Sequence, residues 1–212
     1  VGRVAFPLFA FMIAEGAVHT RDRRWYALRL LLLAVISEIP FDLVAGGTWL
    51  FPADQNTVFT LLLGLLAVWA GDLICGTGSG VSYGNREKTG DGGRKAVGQR
   101  RFPLEYERYI RVLAAVPFGL AAYCLKTDYG FMGVLLIVIL YTLRTEPQLR
   151  TAVCAVFLFC MYMDFYGAAA CVAIFLINRY NGEKGGGNGR IFYLFYPLHL
   201  LVIRGIKMAV GL

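Results

Sequence analysis

A glutamate and a histidine lie four residues apart, directly before a cluster of arginines. Glu15 and His19 end the first apolar stretch of the chain, and Arg21, Arg23 and Arg24 follow. Residues four apart share one face of a helix, and guanidinium groups bind phosphate oxygens through paired hydrogen bonds. The pattern is typical of a site for a phosphate-rich ligand. It is equally typical of a helix end whose arginines contact lipid headgroups, so spacing alone leaves both interpretations open.

A second histidine, His199, lies inside the last apolar stretch, in the run FYLFYPLHLL. Tyr196 is three residues before it and shares its face of the helix. A neutral imidazole accepts a proton near neutral pH. Because an ionisable group inside a membrane is costly, it is a functional candidate by default. His199 is therefore a candidate base, with a purely structural histidine as the alternative.

The second apolar stretch contains Arg29 near its start and Glu38 and Asp42 near its end. Pro40, between the two carboxylates, cannot donate an amide hydrogen bond and predicts a kink. Polar side chains at the start of the third stretch are expected to hydrogen-bond this kink: Asn56, Thr57 and Thr60. Two carboxylates one turn apart suit proton exchange, whereas a hydrated helix end needs no such role.

The composition indicates which kind of structure positions these candidate residues. Apolar side chains make up 58% of the 212 residues and charged ones only 17%, against about 45–50% and 25% in soluble domains. Eight apolar stretches are bounded by charges, Gly or Pro: 3–19, 25–46, 57–75, 109–126, 130–143, 150–163, 165–178 and 191–210. The chain is predicted to be an all-α, polytopic transmembrane helical bundle, a single domain over 1–212 with about eight membrane segments. The fifth to seventh stretches are short for full spans.

Two Gly-rich, basic segments are predicted to be loops, 76–108 and 181–190. Lys and Arg concentrate in the odd-numbered connections, which predicts that these connections are cytoplasmic and that residue 1 lies outside. We therefore expect a multi-pass membrane protein in contact with membrane lipid. The five cysteines have no metal-ligand spacing, so no metal is predicted. Motifs of nucleotide, serine-hydrolase and zinc-protease sites are absent, and nothing indicates nucleic-acid binding.

Four segments, in order, resemble the TraX family of bacterial integral-membrane proteins: GRVAFPLFAFMIAEGAVHTRDRRWYALRLLLLAVISEIPFDL, QNTVFTLLLGLLAV, KTDYGFMGVLLIVILY and FYLFYPLHLL. Segment 76–108 looks like an insertion outside the resemblance. Members of the family usually open with a further helix bearing an Asp-His pair, whereas this sequence starts at Val1. The resemblance thus implies that the family's first helix is missing here, and with it a histidine that is an alternative base.

The resemblance implies transfer of an acetyl group from acetyl-CoA to a pilin N-terminus or another cell-envelope acceptor, such as a glycan. It implies a protein of the bacterial cytoplasmic membrane in which His199 and His19 serve catalysis. We expect Glu15, on the helix face of His19, to act with them. The resemblance also implies that arginines hold the CoA phosphates, Arg21, Arg23 and Arg24, and we add Arg29 to this group. Two other classes remain open on the residues alone. A membrane transporter would use the intramembrane carboxylates and His199 as a proton or solute path, and a non-catalytic membrane scaffold would use them only to join helices.

Overall fold

The computed structural model describes residues 2–20, 22–47, 49, 54–77, 102–162, 165–182 and 189–210. Within these ranges the chain forms eight α-helices and no strand. The first four are α1 (Gly2–His19), α2 (Arg23–Ala45), α3 (Thr57–Cys75) and α4 (Leu104–Cys124). The last four are α5 (Gly130–Thr142), α6 (Pro147–Tyr162), α7 (Phe165–Asn178) and α8 (Gly189–Val210). The all-α prediction and the eight predicted helical segments are confirmed.

Helix boundaries follow capping side chains rather than the apolar runs alone. Asp22 accepts hydrogen bonds from the amides of Arg24 and Trp25 and so starts α2. Asn56 starts α3 by accepting from the amide of Val58 at 2.9 Å. Helix α4 begins at Leu104, inside the predicted loop 76–108, because polar residues of its first turns find partners elsewhere in the fold. The rest of that loop from 78 to 101, and residues 183–188 of the second loop, lie outside the described residues.

Helix α3 lies at the centre of the bundle and contacts α1, α2, α4 and α5. Small residues allow the close approach. A Cβ atom at Gly133 of α5 would meet the Tyr129 side chain at 2.6 Å and the Phe6 ring at 2.9 Å. Phe6 and Tyr129 stack at 3.6 Å between ring centroids, which joins the start of α1 to the start of α5.

Charged residues separate to the two ends of the bundle. One end, called here the arginine-rich end, joins the first, third and fifth connections through side-chain contacts such as Arg23–Asp72 and Arg108–Glu146. Its described basic residues are His19, Arg23, Arg24, Arg108, Arg111, Arg144, Arg150 and Arg179. The opposite end, the acidic end, carries Glu38, Asp42, Asp54 and Asp128. Odd-numbered connections therefore meet at one end, as the distribution of Lys and Arg predicts.

One helix of the described chain, Thr57–Cys75, is long and apolar enough by length and composition to cross a membrane. Three further helical segments are apolar but shorter: Val4–His19, Gly130–Thr142 and Pro147–Met161.

Candidate functional site

A buried carboxylate lies at the centre of the arginine-rich end. The Asp72 side chain, in the last turn of α3, is 1% exposed. Arg23 Nη2 lies 2.7 Å from Asp72 Oδ2, and Arg111 of α4 forms an ion pair with Asp72 Oδ1. The Tyr141 hydroxyl, from α5, donates to Oδ2 at 2.7 Å. An aspartate near a helix C-terminus is unfavourable, so these three partners are what makes its position stable.

The turn after α3 completes this group of side chains. Gly76 has a φ of +74°, a left-handed conformation that glycine adopts at low cost and that ends the helix. The chain then folds back, so that Thr77 Oγ1 lies 3.2 Å from Asp72 Oδ1 and accepts a 2.9 Å hydrogen bond from Arg111 Nη2. Both terminal nitrogens of the Arg111 guanidinium are therefore hydrogen-bonded, Nη1 to Asp72 and Nη2 to Thr77.

Positive charge exceeds negative charge in this group. The Arg144 guanidinium lies 4.3 Å from the centroid of the Tyr141 ring, and the Arg111 guanidinium lies 5.3 Å from it. Glu107 adds a second carboxylate, 3.8 Å from Arg111. We call the group the Asp72 cluster: Arg23, Asp72, Thr77, Glu107, Arg111, Tyr141 and Arg144. Three guanidinium groups face two carboxylates, and Arg23 Nη1 is buried with no hydrogen-bond partner among the described residues.

The predicted pair Glu15 and His19 lies at this same end. His19 Nδ1 is 3.0 Å from the Glu15 carbonyl oxygen and 3.7 Å from Glu15 Oε2. Because a carbonyl only accepts, Nδ1 carries the proton and Nε2 is left as the basic nitrogen. The His19 side chain is 59% exposed, so a ligand can reach it.

The predicted donor-site arginines have different environments. Arg23 is bound to Asp72, Arg24 is exposed at the start of α2, and Arg29 is exposed one turn further on, where its Nε donates to the Trp25 carbonyl. Arg21 lies outside the described residues. The structure therefore brings Arg23 and Arg24 to the end that holds His19.

His199 lies far from that end. Its ring is 5.3 Å from the ring of Tyr196, which hydrogen-bonds to Thr57 at the first turn of α3. Asp72 is fifteen residues further along α3, or about 22 Å at 1.5 Å per residue. His199 Nδ1 is 3.1 Å from the Phe195 carbonyl, so here too Nε2 is the basic nitrogen. The two histidines belong to opposite ends of the bundle.

The acidic end has its own buried polar group. Asn56 Nδ2 donates to the Ala34 carbonyl at 2.8 Å and to the Glu38 carboxylate. Asn56 thus bonds to α2, as the predicted kink suggests. Thr57 and Thr60 bond instead to the connection between α4 and α5, because that segment packs over them: Thr57 donates to Asp128 Oδ2 at 2.6 Å, and Thr60 to Thr127 at 2.9 Å.

A cavity of about 350 Å³ opens beside these threonines. It is lined by Phe41, Asp54, Tyr123, Lys126, Thr127, Asp128 and Gly130. Burial raises the pKa of the Asp128 carboxyl above its usual value, and the nearby Asp54 charge adds to the rise, whereas the hydrogen bond from Thr57 opposes it. Within the part of the chain that the structure describes, no group of three or more His, Cys, Asp or Glu is placed to hold a metal ion.

Sequence reasoning did not single out the Asp72 cluster, although a signal was present. Asp72 is the one charged residue in the third apolar stretch, and Arg111 lies in the apolar run of α4. Isolated charges of opposite sign in two apolar helices predict a pair between those helices. That rule points to Asp72 with Arg111, but it does not identify Tyr141 or Arg23 as further partners.

The fold and this site define a helical bundle with a buried ion-pair network at its basic end. The model of the TraX protein family matches residues 1–77 and 101–207. The chain belongs to the TraX family, and the unmatched internal residues, 78–100, fall inside the segment expected to be an insertion. A relative from Dichelobacter nodosus, a probable fimbrial assembly protein FimC of serogroup H1, is 25% identical over 232 residues, covering 98% of this chain and 82% of the relative. No solved structure matches.

Proposed function

We propose that this TraX-family chain is a multi-pass membrane acetyltransferase. It transfers an acetyl group from acetyl-CoA to an amino or hydroxyl group of a pilin-like protein or another envelope acceptor. One observation carries the proposal: Arg23 and Arg24, two arginines of the predicted donor site, lie at the same end of the bundle as His19.

Exposed apolar surface supports the membrane part of the proposal. Soluble monomers seldom expose contiguous apolar patches beyond a few hundred Å². On α2 a full face of large apolar side chains is between 41% and 61% exposed: Leu28, Leu31, Leu32, Val35, Ile36 and Ile39. In the hydrocarbon of a membrane such a face is not exposed to water, so it carries no penalty for apolar hydration. The arginine-rich end is then the cytoplasmic end, where acetyl-CoA is available.

The arginine-rich end suits the anionic donor. Arg23 and Arg24 lie at the start of α2, next to the end of α1 that carries His19. Guanidinium forks bind phosphate oxygens in pairs. In this proposal the pantetheine arm of a donor held there by its phosphates folds back, so that the acyl thioester reaches the His19 imidazole.

His19 is the base in this proposal. Its Nε2 takes the proton of the acceptor amine or hydroxyl, whose lone pair attacks the thioester carbonyl carbon. The carbon–sulfur bond then breaks, the acetyl group stays on the acceptor, and the CoA thiolate leaves and receives a proton. Glu15, 3.7 Å from the ring, stabilises the imidazolium that forms in between.

The relative supports a choice of acceptor to test. The Dichelobacter nodosus relative is a probable fimbrial assembly protein, and a fimbrial subunit offers an N-terminal amine. We therefore propose a pilin-like protein as the first acceptor to test, and an envelope glycan as the second.

The test measures binding and turnover by the purified chain in detergent. Radiolabelled acetyl-CoA reports binding, and release of the CoA thiol reports transfer to a peptide with a free N-terminus. The same peptide, acetylated beforehand, is the control acceptor. His19→Asn should retain acetyl-CoA binding and lose about 10²–10⁴-fold in turnover, the usual contribution of a general base.

His199→Asn is measured in parallel because it removes the other imidazole. Loss of turnover in His199→Asn with full activity in His19→Asn would place the base at the acidic end and contradict this assignment. Absence of acetyl-CoA binding by the unmodified chain would contradict the proposed function itself.

A further inference from the structure

Among the described residues, Arg23 forms an ion pair through Nη2. Its Nη2 lies 2.7 Å from Asp72 Oδ2, and its side chain is 17% exposed. Its Nη1 is buried and has no hydrogen-bond partner among the described residues. A buried nitrogen of a charged guanidinium that lacks a partner is unfavourable. The guanidinium is thus oriented by Asp72 at Nη2, and its hydrogen-bonding capacity at Nη1 is unsatisfied.

The group that orients Arg23 is itself fixed from several directions. The Asp72 carboxylate accepts a 2.7 Å hydrogen bond from the Tyr141 hydroxyl and is paired with Arg111, which is also bound to Thr77. These partners come from α4, α5 and the turn after α3. The carboxylate therefore has little freedom to move away from Arg23, and it acts as a rigid support for that side chain.

Arg23 shares the Asp72 carboxylate with Arg111 and the Tyr141 hydroxyl. The Asp72 cluster holds three guanidinium groups and two carboxylates, so positive charge remains at this end. Arg23 also lies next to Arg24, within the group to which the donor site is assigned. These facts point to a ligand of negative charge that binds Arg23 on its unpartnered side.

We propose that Asp72 is a positioning residue for the donor: it fixes the Arg23 guanidinium so that Nη1 binds a phosphate oxygen of acetyl-CoA. This inference rests on the proposed function. Asp72 does not touch the donor, and its effect on affinity passes through Arg23. Replacing the carboxylate by a neutral amide leaves Arg23 free to rotate, and acetyl-CoA then binds less tightly.

The first variant is Arg23→Lys, which keeps the ion pair with Asp72 but has no second nitrogen. It should weaken acetyl-CoA binding by about tenfold, the loss of one charge-assisted hydrogen bond. Asp72→Asn should weaken acetyl-CoA binding by a similar factor. When Asp72→Asn is added to Arg23→Lys, the double variant should bind acetyl-CoA no more weakly than Arg23→Lys alone. Arg204→Lys, on α8, is the matched control. The rise of the unfolding midpoint in inorganic pyrophosphate is measured for each variant as a second readout.

The outcomes distinguish the positioning role of Asp72 from the proposed function. A purely structural role lowers the unfolding midpoint of Asp72→Asn and leaves the Kd for acetyl-CoA unchanged, which overturns the inference and leaves the proposed function intact. Tighter binding by Asp72→Asn also overturns it, because Asp72 would then compete with the donor. If Asp72→Asn weakens acetyl-CoA binding equally in the unmodified chain and in Arg23→Lys, Asp72 does not act through Arg23, which overturns the inference.

The pyrophosphate readout keeps the inference testable if the unmodified chain does not bind acetyl-CoA. A pyrophosphate effect that both variants abolish would support the positioning of Arg23 for a phosphate while the proposed function fails. Stabilisation by phosphatidylglycerol micelles with none by pyrophosphate would assign Arg23 to a lipid headgroup and overturn the donor assignment.

Discussion

The Tyr141 hydroxyl donates a 2.7 Å hydrogen bond to Asp72 Oδ2, across 69 residues of sequence. Both side chains are buried, at 4% and 1% exposed. The bond joins α5 to α3 at the arginine-rich end, where Arg111 and Arg23 also meet the same carboxylate. Asp72 is therefore the point at which four helices of the bundle are connected by charge and hydrogen bonds.

Replacing Tyr141 by phenylalanine removes that hydrogen bond and little volume. A hydrogen bond to a charged group contributes about 1.5–3 kcal/mol, so the free energy of unfolding should fall by about 2 kcal/mol. For a chain of this length that lowers the midpoint of thermal unfolding by about 4–8 °C, measured in detergent. Tyr109→Phe is the control, because Tyr109 is 73% exposed. Equal midpoints for the two variants would show that the hydroxyl of Tyr141 is not a structural donor.

Asn56 is fully buried and connects α2 to α3. Asn56→Ala removes the cap that accepts from Val58 and the side-chain donor to the Ala34 carbonyl and the Glu38 carboxylate. The backbone amide of residue 56 still faces Glu38 Oε2 at 3.4 Å. Loss of a cap costs about 0.5–2 kcal/mol, and loss of a hydrogen bond to a charged group about 1.5–3 kcal/mol. We expect about 3 kcal/mol of destabilisation. Asn56→Asp keeps the capping oxygen but turns a carboxylate toward the Glu38 carboxylate and the Ala34 carbonyl, so at neutral pH it should be at least as destabilising as the alanine variant. An alanine variant as stable as the unmodified chain would contradict the role of Asn56.

Much of the fold follows from local rules. The apolar runs predict all eight helices, and Lys and Arg in alternate connections predict which helix ends lie together. The start of α4 differs, because Arg108 pairs with Glu146 from another connection. Sequence spacing carries no information about such a partner.

The candidate site was less predictable for the same reason. Glu15 and His19 lie on one turn, so their spacing alone predicts that they are neighbours. Asp72 and Arg111 are 39 residues apart, and Tyr141 belongs to a third helix. The resemblance gives His199 and the arginines roles in one reaction, and the spacing of these residues does not predict that Tyr196, beside His199, bonds to Thr57 at the other end of the bundle. Which end a residue reaches depends on how far each helix is shifted along its neighbour.

Gly133 is expected to be sensitive to a single added methyl group. A Cβ atom there meets the side chains of Thr60, Tyr129 and Phe6 at 2.5, 2.6 and 2.9 Å. Gly133→Ala should therefore separate α5 from α1 and α3 and cost about 1–3 kcal/mol, typical of overpacking. Gly205 of α8 has open space around it, so Gly205→Ala should be neutral or stabilising by up to about 1 kcal/mol through helix propensity. The two unfolding midpoints, measured side by side, check the prediction; a Gly133→Ala variant that matches Gly205→Ala would refute it.

Stability at the acidic end should depend on pH through Asp128. Because burial raises the pKa of this carboxyl in the fold, the folded state binds a proton more readily than the unfolded state. The resulting contribution to stability is complete below the ordinary pKa of aspartate, declines as pH rises through the raised pKa, and is absent above it. Asp128→Asn keeps the shape and an acceptor for Thr57 but does not ionise. At neutral pH the asparagine variant should unfold at a higher temperature than the unmodified chain, and the gap should close as pH is lowered through the acidic range. Unfolding midpoints of both proteins in a pH series measure this gap. A gap that is independent of pH, or one that widens in acid, would mean that Asp128 is not held toward its protonated form and that the cavity beside Thr57 is more hydrated than its burial indicates.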